Sequence, residues 1–170
     1  KNVLENDEIP AITTPYFNFF ELDVLCRMGK LTEVLDKIRS YWGGMLDLGA
    51  VTFWEEYDPS VPKEEQYDMY GDHFGKSLCH AWAASPIYFL AKYFAGLDLV
   101  NKDGVTYVLK PQMQYFTDLD CILPVGSDGT VRLAWDGECL EVIADAEGGV
   151  LELGEEKISL VRGETRRVKI

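Results

Sequence analysis

The sequence predicts an α+β chain of two parts, a helical segment followed by an antiparallel β-sandwich. Two observations carry this prediction. Apolar residues recur at helical spacing between residues 14 and 97. From about Gly104 the pattern changes to short runs rich in β-branched and aromatic residues, separated by glycine-containing turns. We therefore assign residues 1–100 to the helical part and residues 101–170 to the sandwich.

Two helices in a hairpin are predicted at the start of the helical part. Thr14-Pro15 supplies an N-cap residue followed by proline at the first helical position. The first apolar stripe ends at Gly29 and the second ends at Gly43-Gly44. Because Gly29 alone separates the two helices, they should pack antiparallel. The stripes consist of Phe17, Phe20, Val24, Leu25 and Met28, and then of Leu31, Val34, Leu35, Ile38 and Trp42.

A further helix is predicted to begin at Ser85-Pro86 and to end at Gly96. The preceding segment, Ser77–Ala84, is expected to belong to the same or a contiguous helix, with a kink near Pro86. The stretch Tyr57–Gly75 contains prolines, glycine and many acidic residues and shows no sustained periodicity. We interpret it as a long loop, and loops of that length in compact proteins are usually functional or mobile.

Seven short strands are predicted in the second part, and their regular spacing is typical of an antiparallel sandwich. They are Val105–Leu109, Cys121–Leu123, Thr130–Trp135, Cys139–Ile143, Val150–Leu153, Lys157–Leu160 and Arg167–Ile170. The turn signals between them are Ser127-Asp128-Gly129, Asp136-Gly137, Gly148-Gly149, Gly154 and Gly163.

Composition argues against two classes of partner. The chain has 170 residues and a net charge of −13. Phosphate backbones and anionic membrane surfaces would repel it, so we expect no nucleic-acid or membrane partner. No segment approaches the ~20 consecutive apolar residues of a membrane span. We expect a soluble chain, cytoplasmic or periplasmic.

Two short segments carry the candidate chemistry. In Gly49–Glu56 a tryptophan lies directly before a carboxylate, and in Ser77–Trp82 a histidine lies two residues before another tryptophan. Such pairs suit a sugar-processing site. An aromatic ring covers the apolar C–H face of a pyranose, and a carboxylate handles protons or water.

Together with Tyr41-Trp42-Gly43-Gly44-Met45-Leu46, these segments resemble the C-terminal part of bacterial α-L-rhamnosidases, an inverting glycoside hydrolase family. The resemblance extends from about Thr14 to Trp135. It implies the C-terminal portion of a catalytic (α/α)6 helical barrel followed by a β-sandwich, within a longer enzyme. The implied partners are the upstream rest of the barrel and a carbohydrate substrate, a rhamnosylated glycan or glycoside. No cofactor is implied.

The resemblance also implies a role for Glu55. In the family, the glutamate directly after a Thr-x-Trp unit is the general base, and Thr52-Phe53-Trp54-Glu55 matches that unit. An inverting glycosidase pairs such a base with a carboxylic acid ~6.5–9.5 Å away. The family's acid lies upstream, and no residue here matches it. Glu56 is the second choice for the base, and its side chain should point away from that of Glu55.

Three further residues are predicted to bind substrate. Trp54 lies beside the predicted base. His80 could bond a sugar hydroxyl or orient the base, the alternative being a partly buried helix histidine. Trp42 is included, although its place on an apolar stripe favours the core. No metal site is expected, because His73 and His80 are the only histidines and lack the compact spacing of metal ligands.

Two other classes of function stay open. The missing acid favours a non-catalytic carbohydrate-binding or structural module. Another helical-barrel glycosidase, or a lyase acting on uronic acids, is also compatible with the helices. A lyase of that kind needs a basic pocket, and residues 14–97 offer few clustered arginines or lysines. A natural protein with several hundred upstream residues and an acidic cluster among them would favour the enzyme.

Overall fold

The structure, a computed structural model, describes Glu8 and residues 12–102, 104–127 and 129–170. The chain divides into two compact units, Lys1–Tyr88 and Phe89–Ile170. This division lies before the predicted boundary at residue 100. Residues 1–7 and 9–11 of the predicted helical part lie outside the described residues, as does Asp128 of a predicted turn.

The first unit begins with the predicted hairpin. Helix α1 (Pro15–Arg27) is followed by helix α2 (Leu31–Lys37). Gly29, with φ +73°, ends α1, because two backbone N–H groups beyond the helix turn back onto its last carbonyls. Glu21 and Lys37 are equally far from Gly29 in sequence and form an ion pair of 3.7 Å. The two helices therefore run antiparallel, as predicted.

The sequence predicted that the second helix ends at Gly43-Gly44, but the helix continues beyond these residues. It passes through a π-helical turn, Ile38–Trp42, into α3 (Gly43–Asp47) and ends at Gly49, with φ +92°. Gly44 serves packing instead. A Cβ at this position would lie 2.4 Å from the hydroxyl of Tyr57, so the missing side chain makes room for that ring against the helix.

The apolar stripes of the hairpin differ in burial. The α2 stripe is buried from Val34 to Trp42, as predicted. In the α1 stripe Leu25 is buried, but Phe17, Phe20, Val24 and Met28 are exposed. The buried positions of α1 include a polar residue and are Pro15, Asn18, Leu22, Leu25 and Cys26.

The predicted helix over Ser77–Ala84 is wrong. This segment is not helical: the chain bends at Leu78-Cys79 and then makes a 3₁₀ turn, Ala81–Ala83. Helix α4 (Ser85–Phe89) follows and continues as a π-helical turn, Leu90–Phe94. The helices of the first unit do not close a barrel among the described residues, so the (α/α)6 origin of this part stays a prediction.

The second unit is a β-sandwich of two four-stranded sheets in the described part of the chain. The strands are β1 (Leu97–Lys102), β2 (Val105–Leu109), β3 (Leu119–Val125), β4 (Gly129–Trp135), β5 (Cys139–Asp145), β6 (Gly149–Leu153), β7 (Glu156–Leu160) and β8 (Thr165–Lys169). One sheet has the order β1-β2-β6-β7 and the other β3-β4-β5-β8. Neighbouring strands are antiparallel except β2 and β6, which are parallel. The predicted sandwich is confirmed, with this one departure from antiparallel pairing.

Strand β1 was not predicted. It lies at the edge of its sheet, and its residues do not alternate between buried and exposed positions. A strand without that alternation lacks the sequence signal of period two. The strand pairs with β2, placing Leu97 opposite Leu109.

One apolar core lies between the two sheets. Tyr107, Leu109 and Leu151 enter it from one sheet, and Val131, Leu133 and Leu140 enter it from the other. All six are inaccessible to solvent. Alternate residues of the central strands thus point inward, as expected for a sandwich. Trp135, at the end of β4, is half-buried and packs against this core.

Candidate functional site

The two segments that carry the candidate chemistry lie side by side in the first unit. The N–H of Glu55 donates to the carbonyl of Ser77 at 2.9 Å, and the N–H of His80 donates to the carbonyl of Phe53 at 2.8 Å. These two bonds commit backbone groups of Ser77 and His80 to residues 55 and 53, which explains why the predicted helix does not form. It also brings the side chains of Glu55 and His80 together, although they are far apart in sequence.

The carboxylate of Glu55 is nearly buried and well supplied with donors. Glu55 as a whole residue is only 6% exposed to solvent. Oε1 accepts a hydrogen bond of 2.8 Å from the hydroxyl of Tyr70, and Oε2 accepts one of 3.1 Å from the N–H of Ser77. The Nδ1 of His80 lies 3.9 Å from Oε2. A buried carboxylate needs such partners to stay charged.

Opposing effects set the pKa of Glu55. Burial acts most strongly and raises the pKa, because desolvation disfavours the charged form. The hydrogen bonds from Tyr70 and Ser77 lower it, and nearby His80 and Lys76 lower it further. Together these partners outweigh burial, and the pKa lies below its ordinary value. Glu55 is therefore ionised at neutral pH, which is the form that a general base requires.

Tyr70 reaches Glu55 from a tight turn. Met69 and Asp72 exchange backbone hydrogen bonds of 3.0 and 2.9 Å, and the two residues between them, Tyr70 and Gly71, have φ values of +56° and +80°. Two positive φ values in a two-residue hairpin loop are the arrangement of a type I′ turn. The sequence analysis does not single out Tyr70, because it predicts an irregular loop over Tyr57–Gly75. The glycine directly after Tyr70 was the available sequence signal for a tight turn at this place.

Glu56 has bonding partners different from those of Glu55. Its Oε1 accepts a hydrogen bond of 2.7 Å from the hydroxyl of Thr13, and its Oε2 lies 3.9 Å from Nζ of Lys76. The lysine side chain is only 4% exposed. Burial lowers the pKa of Lys76, and the negative charge of Glu56 opposes that effect. The position of Glu56 therefore indicates that it balances a buried ammonium group.

His80 connects Glu55 to an exposed aromatic ring. The ring centroids of His80 and Trp82 are 4.2 Å apart, and their planes are tilted by 43°. Trp82 is 50% exposed and also contacts Tyr16 of α1 at 5.4 Å between centroids. Trp82 belongs to a segment that the sequence singled out, but it was not among the predicted substrate-binding residues.

The other two predicted substrate-binding residues are structural. Trp54 is 3% exposed and packs edge-on against Tyr67. Trp42 is likewise buried, and its indole N–H donates to the carbonyl of Ala83 at 2.8 Å. Neither ring offers a free face to a sugar, which corrects the predicted stacking roles. Of the exposed rings, Tyr70 contacts Glu55 directly, and Trp82 contacts its neighbour His80.

Neither a metal site nor a membrane span is found in the parts of the chain that are described. Across residues 12–102, 104–127 and 129–170, no group of three or more His, Cys, Asp or Glu side chains is placed to hold a metal ion. His73 pairs instead with Asp68 on the exposed surface of the hairpin that carries Tyr70. No helix formed by the described residues has the length and apolarity needed to cross a bilayer.

Comparison with known proteins gives a structural neighbour. The chain is similar to a GH78 family rhamnosidase of Bacillus sp. GL1, whose crystal structure was determined at 1.9 Å. The TM-score is 0.66 over 89% of this chain, at 23% sequence identity. The likeness shows a shared fold. It involves only 16% of the rhamnosidase, so the present chain spans less than a fifth of its neighbour's length. No protein-family model and no curated protein sequence matches the chain.

Proposed function

We propose that this chain is the C-terminal region of an inverting glycoside hydrolase that removes terminal α-L-rhamnosyl residues, with Glu55 as the general base. The observation that carries the proposal is the state of Glu55. Its carboxylate is nearly buried and is kept ionised by Tyr70 and Ser77. The exposed ring of Tyr70 contacts it, and His80 next to it contacts the exposed ring of Trp82. The fold shared with a rhamnosidase supports the substrate class.

In the proposed reaction Glu55 takes a proton from a water molecule as the water oxygen attacks the anomeric carbon. The electron pair of the broken glycosidic bond passes to the leaving oxygen, which a carboxylic acid protonates. That acid would come from the upstream part of the enzyme. His80 has a side chain that is 24% exposed and lies next to Glu55, so it can reach a sugar hydroxyl. Trp82 offers the apolar surface on which a pyranose packs.

The exposed face of α1 supports the proposal that further helices belong to the same domain. We define this α1 face as Tyr16, Phe17, Phe20, Val24 and Met28. All five are exposed, with Phe17 at 58% and Met28 at 62%. A contiguous apolar helix face of this kind usually packs against another element. Under the proposed function, the upstream helices of an (α/α)6 barrel pack against this α1 face.

The isolated 170-residue chain should therefore show no turnover of aryl α-L-rhamnosides, while the full-length protein hydrolyses them. The chain lacks the acid, and removing one member of an acid–base pair typically costs ~10²–10⁴-fold in rate. Release of the aryl group by both purified proteins, at equal concentration, is the measurement.

Turnover by the isolated chain would contradict this proposal, since an acid within the chain would then protonate the leaving group. A full-length protein that binds rhamnosylated glycans in calorimetry but hydrolyses none would favour the alternative, a non-catalytic carbohydrate-binding module.

A further inference from the structure

We propose that Tyr70 is a positioning residue for Glu55, whose hydroxyl fixes the carboxylate while its exposed ring forms one wall of the sugar-binding surface. The inference rests on the proposed role of Glu55 as a general base. It gives a role to a residue that the sequence analysis did not single out. It also places the ring of Tyr70, and not that of Trp54, next to Glu55 in the sugar-binding surface.

The backbone of Tyr70 gives the first argument. A φ of +56° is unfavourable for a residue with a Cβ, and type I′ turns prefer Asn, Asp or Gly at this place. Packing does not compensate, because the residue is 79% exposed. What the conformation gains is the 2.8 Å hydrogen bond to Glu55, and bonds to an ionised acceptor are the strong ones. Backbone strain of this kind clusters at functional sites.

The hairpin of residues 67–76, which contains the turn, gives the second argument because it holds the turn in place. At its base, the N–H of Lys76 donates to the carbonyl of Tyr67 at 3.2 Å. The side-chain amide of Gln66, only 2% exposed, donates to two carbonyls of the preceding loop. The missing side chain of Gly75 lets the two arms of the hairpin approach each other, since a Cβ there would lie 2.2 Å from the carbonyl oxygen of Met69. The phenol is thus presented from a fixed support, which precise positioning requires.

The charged neighbours of Glu55 predict what loss of the hydroxyl would do. Tyr70 and His80 lie next to the carboxylate, the charge of Lys76 also acts on it, and Glu56 lies 3.9 Å from Lys76. The bond to Glu55 raises the pKa of Tyr70, so the phenol stays a donor at neutral pH. Without the Tyr70 hydroxyl, fewer partners would oppose the effect of burial on the pKa of Glu55. The pKa of Glu55 should then rise, although Ser77, His80 and Lys76 remain.

Tyr70→Phe in the full-length enzyme is the test, because it removes the hydroxyl and keeps the ring. We expect kcat to fall by about tenfold, the effect of losing one strong hydrogen bond, with KM changed by less than about twofold. The acid limb of the pH profile of kcat/KM should move to higher pH. Tyr70→Ala should in addition raise KM, since the ring is lost. Tyr67→Phe is the matched control. It removes a phenol from the same hairpin that is not among the partners of Glu55 in the described part of the chain.

A second measurement separates this inference from the proposed function. The side-chain carboxyl carbon of Glu55 can be titrated by NMR in the 170-residue chain, where Tyr70→Phe should raise its pKa and Tyr67→Phe should not. If Tyr70→Phe leaves the titration and the kinetics unchanged while Glu55→Gln abolishes turnover, the inference fails and the proposed function stands. If Tyr70→Phe shifts the titration but Glu55→Gln leaves hydrolysis intact, Tyr70 positions Glu55 and the proposed function fails.

Discussion

Glu55→Gln should lower kcat of the full-length enzyme at least ~10²-fold, the lower end for loss of a general base, with little change in KM. Glutamine keeps the shape of the side chain, and its oxygen can still accept a bond from Tyr70 or Ser77. It cannot take a proton from water. Because that proton moves only in the transition state, the loss should appear in kcat rather than in substrate binding. Steady-state kinetics with an aryl α-L-rhamnoside measure both constants.

Glu56→Gln is the matched control for this prediction. The side chain of Glu56 accepts a hydrogen bond from Thr13 and lies near Lys76, and it does not share the hydrogen bonds that Glu55 accepts from Tyr70 and Ser77. Its replacement should reduce stability, since a buried ammonium loses its neighbouring anion, and should affect kcat far less. If Glu56→Gln proves the more damaging change to kcat at a temperature where both variants are folded, the base has been assigned to the wrong residue.

Gly96→Ala should destabilise the sandwich by about 3 kcal/mol or more, from left-handed backbone at ~1–2 kcal/mol and steric overlap at ~1–3 kcal/mol. The φ of Gly96 is +72°, and a Cβ there would lie 2.1 Å from the carbonyl oxygen of Lys110. That oxygen cannot withdraw easily, because the N–H of Lys110 is bonded to the carbonyl of Gly96 at 3.0 Å. Denaturant unfolding followed by circular dichroism gives the change in free energy.

Gly163→Ala is the control within the same unit. Its φ of +81° is similar, but an added Cβ would meet no described atom within 4 Å. It should therefore cost only the backbone term, ~1–2 kcal/mol. Equal destabilisation by the two substitutions would show that the contact between Gly96 and Lys110 is not as close as the structure has it.

Local signals predicted most of the fold. Proline at Pro15 and glycine at Gly29 mark the ends of α1, and alternating apolar residues mark the strands of the sandwich core. The errors arose where contacts between distant segments decide the structure. Gly44 predicts a helix stop, yet the helix continues to Asp47 and the glycine makes room for the ring of Tyr57. The sequence of Ser77–Ala84 predicts a helix, yet residues 77–80 are not helical because Ser77 and His80 form backbone bonds with residues 55 and 53.

The candidate site was predicted in part for the same reason. Glu55 and His80 were singled out by their short motifs, and the structure brings them within 3.9 Å. Burial of Trp42 and Trp54 depends on tertiary packing, which their positions in sequence do not reveal. Tyr70 escaped notice because its contact with Glu55 exists only through a turn with two positive φ values.

The most direct test of Glu55 as the general base is azide rescue of Glu55→Ala in the full-length enzyme. Azide needs no deprotonation, so it can attack the anomeric carbon in the space that the shortened side chain leaves. We expect the variant to be nearly inactive in water and to recover turnover as azide is added. The product should be a rhamnosyl azide of inverted anomeric configuration, identified by NMR. A Glu55→Ala enzyme that hydrolyses substrate at the wild-type rate, or that azide leaves inactive while rescuing Glu56→Ala, would contradict the assignment.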